Sequence, residues 1–435
     1  MSAPAPRRPG AAKVGSTLHV VMHDTEIARL TSSRAGRAKL TYLPEAEAVT
    51  RGLSCSMPVL GVEYRGERVV NWIGGLLPDR SEVLSSWRTQ FGLTRSDPYA
   101  LLWHVGEDVA GAARFIRPER LGVEDDPQDY TPLTEAAIGE RIRMLGADAA
   151  SWAPARGSGQ FSLAGAQAKF ALALTPGGWI EPTGTHPTTH IFKPAMPEFA
   201  DQDLSEHLTM RLARAAGLHV ADTEVAEFDG ARCLVVTRFD RYQADDGTWR
   251  RIHQEDAVQA LGRNPSQKYE VGRGPGVRQI ADLLRANVTE GYANSDVAAF
   301  IDAIAFNWLV LGTDAHARNY ALVHSGPQTR LAPFYDLNSF LPYRKRGQRP
   351  VLAMKVGLSE QDPGRISARD WEELARDCRQ DAEQTLARVQ ARGKQLLDQA
   401  AAVLHSEQTS RWKSHLPDKL HDTLVAHASA CLRRL

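Results

Sequence analysis

Short runs of alternating apolar and polar residues open the chain: Leu18-His19-Val20-Val21-Met22, Ala28-Arg29-Leu30 and Ala38-Lys39-Leu40-Thr41-Tyr42. Gly36 and the Pro44 region punctuate them. A period of two with turn residues between runs predicts a small antiparallel sheet. The pattern then changes. Val69-Val70-Asn71-Trp72-Ile73 and Tyr99-Ala100-Leu101-Leu102-Trp103 carry helical spacing, interrupted by Gly74-Gly75 and Pro78. Residues 17–117 therefore read as a small α+β module, after a Pro/Ala-rich leader at 1–16 expected to be flexible. Residues 118–155 are acidic and helical in part, and read as a linker.

From about Arg156 the character shifts again. Ser162-Leu163-Ala164-Gly165-Ala166-Gln167-Ala168-Lys169 is a loop of small residues that passes into an alternating strand through Leu174. His190-Ile191-Phe192-Lys193 reads as a second strand. Leu208, Leu212 and Ala216 form one helical face from Glu206 onward, closed by Gly217. Val225–Phe228 and Ala231–Thr237 flank Asp229-Gly230, a hairpin signal. Strand, strand, helix, hairpin over 156–239 suits a small lobe that holds a nucleotide. The remainder, 240–435, reads as mainly helical.

Composition narrows the function. The 435 residues carry 52 Lys+Arg against 52 Asp+Glu, and a chain that coats nucleic acid needs a basic excess to displace counterions. Any DNA contact is then expected through a local patch or a partner. The cysteines (Cys55, Cys233, Cys378, Cys431) are scattered without a C-x-x-C pair, so neither a disulfide framework nor a zinc ribbon is expected. Prolines occupy the place of a signal-peptide apolar run, and no apolar stretch nears the roughly 18 residues of a membrane span. A soluble cytoplasmic protein is expected.

The chemistry concentrates in Thr313-Asp314-Ala315-His316-Ala317-Arg318-Asn319-Tyr320. Phe300, Ile301, Ile304, Ala305, Trp308 and Leu309 form an apolar helical stripe before it, and Gly312 is expected to end that helix, leaving Asp314 in a loop. Asn319 follows five positions later, and Asp336 arrives after two strand-like segments. Phosphoryl transfer needs this order: one Asp to deprotonate an acceptor hydroxyl, then an Asn and an Asp as hard oxygen ligands for Mg²⁺. Kinases use the same spacing of base and Asn. The plain alternative is that Asp314 caps the turn to 320 and Asp336 another turn. Lys193, among apolar strand neighbours, needs an anion if buried; a phosphate and Glu206 are candidates, and a solvent-reaching head at a sheet edge is the alternative. The 162–169 loop lets backbone N–H groups approach phosphates but is not a Walker loop. His186 and His190 are separated by a proline and unsuited to metal, and Asp201, Asp203 and Glu206 read as helix-start carboxylates. Arg238-Phe239-Asp240-Arg241 is a candidate crossing between lobes.

These residues resemble one family, the HipA toxins, serine/threonine kinases of bacterial toxin–antitoxin pairs. The likeness is carried by Ser162–Lys169, Thr188–Lys193, Arg238–Arg241, His253-Gln254-Glu255-Asp256, Lys268-Tyr269-Glu270 with Gly274-Pro275-Gly276, Thr313–Asn319 and Pro333–Asp336. Leu76-Leu77-Pro78-Asp79 within 17–117 looks like the family's N-terminal subdomain. The resemblance implies an α+β, two-lobed protein-kinase-like (phosphoinositide-kinase-like) fold with a mostly helical C-terminal lobe. It implies Asp314 as catalytic residue, Asn319 and Asp336 as Mg²⁺ ligands, and ATP contacts from Ala164, Gly165, Ala166, Gln167, Ala168, Lys169 and Lys193. Thr237, Arg238, Phe239, His316, Ala317, Arg318, Asn319, Tyr335 and Asp336 complete the implied ATP site. Ser162 matches an autophosphorylated serine whose modification shuts off ATP binding. Ala168 and Thr237 stand where relatives commonly carry Glu. The resemblance further implies an aminoacyl-tRNA synthetase as substrate, a HipB-like helix-turn-helix antitoxin, operator DNA contacted mainly through that partner, and no membrane. A small-molecule kinase and a catalytically silent corepressor are the competing readings.

Overall fold

The alternation in the first hundred residues is realised as a five-stranded antiparallel sheet ordered Glu63–Arg65, Ala38–Tyr42, Thr25–Ser32, Thr17–Met22, Arg114–Ile116. Helices Glu67–Gly74, Ser81–Phe91 and Pro98–Val105 pack with it, burying Trp72, Trp87 and Leu102. The last helix starts on Asp97, whose side chain accepts from the Ala100 N–H at 3.0 Å, with Pro98 in the first turn. The computed structural model describes residues 16–33, 36–94, 97–123, 130–148, 162, 164–165, 167–183, 186–357 and 361–435. Nearly all of the expected leader and Ala166 lie outside them.

The small lobe is a six-stranded antiparallel sheet ordered Thr223–Phe228, Ala231–Thr237, His190–Lys193, Phe170–Thr175, Gly178–Pro182, Tyr130–Pro132. Asp229 and Gly230 both have positive φ (48° and 74°), the two-residue turn that matches strand twist. Two expectations need correction here. Residues 130–147 are not a linker: Tyr130–Pro132 is an edge strand paired with Gly178–Pro182, and the helix Glu135–Ala147 buries Ile138, Ile142 and Leu145. Glu135, Glu140, Arg141 and Arg143 leave only a narrow apolar stripe on that helix. Nor does Phe170–Thr175 alternate, since Phe170 to Ala173 are all buried between strands on both sides.

That sheet separates two cores. Phe192, Cys233 and Val235 join the core shared with the N-terminal module, whereas Val225, Leu234 and Val236 join the core of the helical lobe. The continuous apolar run Cys233-Leu234-Val235-Val236 is thus explained by burial on both faces. The helix Gln202–Ala215 lies beneath, starting before the expected Glu206. Asp201 and Asp203 do more than favour its dipole: both grip Arg232, at 2.5 and 2.7 Å.

Helices Val277–Asn287, Ala293–Leu309, Ala368–Asp377, Ala382–Leu404 and Leu416–Leu432 build the C-terminal lobe around Trp308 and Trp371. It also holds a three-stranded antiparallel sheet, His253–Asp256, Ala321–Ser325 and Gln328–Leu331. The long apolar helix ends at Leu309, and Leu311 rather than Gly312 takes the left-handed conformation (φ 54°). Gly312 is needed for another reason: a Cβ there would collide with the Asn307 side chain. All four cysteines are free, and no helix among the described residues is long and apolar enough to cross a membrane.

Candidate active site

Lys193 sits on a central strand between Ala231–Thr237 and Phe170–Thr175, so it has no sheet edge from which to reach solvent. Its ammonium is buried and donates to Glu206 Oε1 at 2.7 Å and to Asp336 Oδ1. Burial works against its charge, but the two carboxylates outweigh it and hold the lysine protonated above its usual range. Burial, joined by Asp336, pushes the Glu206 carboxyl up despite Lys193. Asp336 is half-buried; its enclosure works against the charge, yet Lys193 and Lys169 prevail and keep its carboxyl well below the usual range. Asp336 has φ 58°, a conformation uncommon for a residue with a side chain and concentrated at functional sites.

Lys169 approaches from the small-residue loop and donates to the Ala164 carbonyl at 2.8 Å. Gly165 (φ 114°) makes room, for a Cβ there would lie 2.6 Å from Lys169 Nζ. Burial is the main force on Lys169 and, with Lys193 nearby, pushes it down to about 8. Ser162 is buried rather than presented: its hydroxyl donates to the Leu76 carbonyl at 2.8 Å, and its N–H to Asp108 O at 2.9 Å.

Asp314 lies exposed in the turn after the apolar helix. The Tyr269 hydroxyl donates to its Oδ1 at 2.5 Å, so that carboxylate is not a turn cap. The capping is done by Asn319, whose Oδ1 accepts from the His316 N–H at 3.0 Å, an N–H shared with Asp314 O at 2.8 Å. His316 is buried and packs edge-on to Tyr269, their ring centroids 5.0 Å apart. Burial holds its imidazole neutral, lowered to about 4, and its Nδ1 has no protein partner among the described residues.

Most of these groups meet in one cleft of about 990 Å³, open at its mouth; Asp314, Tyr269 and Ser162 are not among the residues that line it. Ala164, Gly165, Lys169, Lys193, Glu206 and Asp336 line the small-lobe side. His316, Asn319 and Tyr335 face them, while Ile191, Met210, Val236, Thr237 and Phe239 supply an apolar end. Phe239 and Tyr335 pack at 5.4 Å. Three expected ATP contacts turn elsewhere. Gln167 donates to Pro194 O and Gln202 Oε1 at 2.9 and 3.1 Å. Ala168 and Ala317 are packed in the two cores. Arg238 and Arg318 border the cleft, but their guanidinium groups are held by carboxylates. Arg238 binds Asp240 at 2.8 Å, and Arg318 binds Asp256 at 2.9 Å and Asp79. Residues that the sequence reading left without a role, Asp79, Asp256, Lys268 and Tyr269, turn out to brace the loops. All four lie in segments that carry the family resemblance, 76–79, 253–256 and 268–270.

The donor set suits nucleotide and magnesium. Asp336 and Asn319 offer a carboxylate and an amide oxygen to one cleft, the hard oxygens magnesium takes. Two lysines, a glycine-relieved loop and an orphaned imidazole nitrogen offer complementary contacts to a phosphate-bearing ligand. An antiparallel small lobe with a buried Lys–Glu pair, set over a helical lobe with an Asp…Asn…Asp series, defines a kinase-like class of protein.

Family comparison specifies which. The HipA-like C-terminal domain matches residues 161–404 and the HipA N-terminal domain residues 18–116; the chain belongs to the HipA family. It is 36% identical over 339 residues to a Sinorhizobium fredii protein named "Putative kinase Y4mE", covering 76% of this chain and 77% of that one. It is 29% identical to the serine/threonine-protein kinase toxin HipA of Shewanella oneidensis, over 81% of each chain. A solved complex of Shewanella oneidensis HipA with HipB and operator DNA contains a chain of the same fold. The TM-score is 0.77 at 22% identity, covering 96% of this chain and 99% of that one.

Proposed function

We propose that the chain is an ATP- and Mg²⁺-dependent serine/threonine protein kinase acting as the toxin of a two-component, type II toxin–antitoxin pair in the cytoplasm. One observation carries this reading: Lys193, Asn319 and Asp336 line one cleft, and Asp314 stands exposed two residues before His316, which lines the same cleft. Tyr269 occupies Oδ1 of Asp314 and orients the carboxylate, leaving Oδ2 to accept the proton of an incoming hydroxyl. Glu206 secures Lys193 from behind, so that its ammonium can turn to a phosphate when Asp336 is drawn to a metal. Bound at Asn319 and Asp336, magnesium would screen the charge of the phosphates. The apolar end formed by Ile191, Val236 and Phe239 suits a purine.

Kinship with HipA supports the finer assignments. We assign an aminoacyl-tRNA synthetase as substrate, with growth arrest as the outcome, and a HipB-like helix-turn-helix antitoxin that carries the complex to operator DNA. Zero net charge accords with DNA contact mostly through that partner. Autophosphorylation at Ser162 serves as an off-switch; the hydroxyl must first leave Leu76, and a dianion could not return to that buried place.

The test is labelled-phosphate transfer from ATP in cell lysate, comparing the full chain with Asp314→Asn. A labelled protein band that weakens by on the order of 10²–10⁴-fold in the variant is expected. Transfer to a metabolite pool alone would make this a small-molecule kinase, and growth arrest that survives Asp314→Asn would make it a silent corepressor. Intact mass after ATP incubation reports on Ser162; active enzyme with that serine unmodified rules out the switch.

A further inference from the structure

The segment Gly75–Asp79 belongs to the N-terminal module and its first N–H groups close the helix before it, yet two of its carbonyls, the Asp79 N–H and the Asp79 carboxylate go to the loops of the cleft. Asp79 Oδ1 binds Arg318 Nη1, and Oδ2 accepts from Lys268 Nζ at 2.8 Å. The Asp79 N–H donates to Gly165 O at 3.0 Å, extending a parallel bridge between Pro78 and Gly165. Gly75 O accepts from Arg318 Nη2 at 2.7 Å, and Leu76 O from the Ser162 hydroxyl. Lys268 in turn accepts the Ala317 N–H on its carbonyl at 3.1 Å and precedes Tyr269, the residue that orients Asp314. One carboxylate therefore stands at the meeting point of the nucleotide loop, the loop bearing Asp314 and Asn319, and the strap bearing Tyr269.

We propose that Asp79 is a positioning residue of the phosphotransfer site, by which the N-terminal module completes and closes that site from outside the two lobes. The chemistry requires an anion here. Arg318 already has Asp256, but Lys268 has Asp79 as its ion-pair partner, and both cations approach the same carboxylate from different loops. Burial alone would raise the Asp79 carboxyl; Arg318 and Lys268 together outweigh it and hold the group ionised. Its charge thus stays available across the pH range in which an ATP-dependent enzyme works. An asparagine in its place keeps the N–H to Gly165 and the volume, but gives up the charge that binds the two loops.

This inference deepens the kinase reading, and two readouts separate them. In the full chain, Asp79→Asn should lower kcat by roughly 10- to 100-fold, the usual cost of losing a group that orients a reacting one. Calorimetric titration with ATP should still give one site per molecule, which distinguishes misplacement from a smaller folded fraction. Lys268→Met should reproduce the loss, and the double variant should lose little more than the worse single one. Asp79→Asn with unchanged kcat, or losses that simply add, would overturn the proposal. Hydrogen exchange over 162–169 and 313–319 should quicken in Asp79→Asn whether or not phosphate is transferred. A wild type that labels no acceptor refutes the kinase; unaltered exchange in both loops refutes the positioning role.

Discussion

Two buried charge networks lie close together in this molecule and behave as opposites. At the junction, Arg238 and Arg241 are enclosed by Asp108 and Asp240, with Thr188, Val109 and Gly111 supplying further acceptors. Asp240 also accepts the Gly111 N–H at 2.7 Å, and Asp108 the Thr188 hydroxyl at 2.6 Å. Planar guanidinium groups and two carboxylates satisfy one another from several chain segments, fastening the N-terminal module to the lobe crossing. In the cleft the cations are lysines, and the side chain of Asp336 stays 34% exposed. One network is closed upon itself; the other has a face left for a ligand. The difference is geometric as much as electrostatic, since a fixed arginine fork meets carboxylates in pairs while a lysine is a point charge that can change partner.

The contrast can be broken by variants, in descending order of expected effect. Asp240→Asn leaves Arg238 and Arg241 buried with too little negative charge and should cost about 3–5 kcal/mol in urea unfolding. A loss under about 1 kcal/mol would mean the junction is no fastener. Asp336→Asn should do the reverse. Asparagine tolerates the left-handed backbone and Lys193 keeps Glu206, so the melting temperature should hold while ATP-dependent transfer falls by more than about 100-fold.

Lys169 offers a subtler handle. Because it loses its proton as pH rises through about 8, its attraction for phosphates weakens above that pH. The value of kcat/KM for ATP should then decline by up to about tenfold per pH unit on the alkaline side, and Lys169→Arg should flatten that limb. A wild-type profile flat to pH 10 would remove Lys169 from nucleotide binding. At the bottom of the scale stands the half-exposed pair Arg143–Asp229 on the hairpin turn. Arg143→Ala should change stability by less than about 1 kcal/mol, marking the gap between a surface pair and either buried network.

Local elements were readable wherever side-chain period and turn chemistry agreed. Asp229-Gly230 announces its hairpin, and the stripe from Phe300 to Leu309 its helix. The strand Phe170–Thr175 and the segment 130–147 were misjudged because burial on both faces, or a narrow stripe in charged surroundings, erases the period. Of the proposed site residues, Asn319, Asp336 and Lys193 were picked by type and order, and all three line the cleft. Arg318, Arg238 and Gln167 were placed near the cleft, but their side chains are also committed to residues 35 to 243 positions away, beyond the reach of any local pattern.

The order of chemistry along the chain was already in the amino-acid sequence: a loop of small residues, a lysine in an apolar strand, then Asp, Asn and Asp at kinase spacing. These depend on residue type and short-range geometry, which one strand of text contains. Tertiary structure alone decided that Lys193 is shared by two carboxylates, that Ser162 is shut in against Leu76, and that Asp79 reaches across from another module. Such contacts form when separate cores pack together, and the free energy that selects them resides in surfaces that become neighbours only after folding.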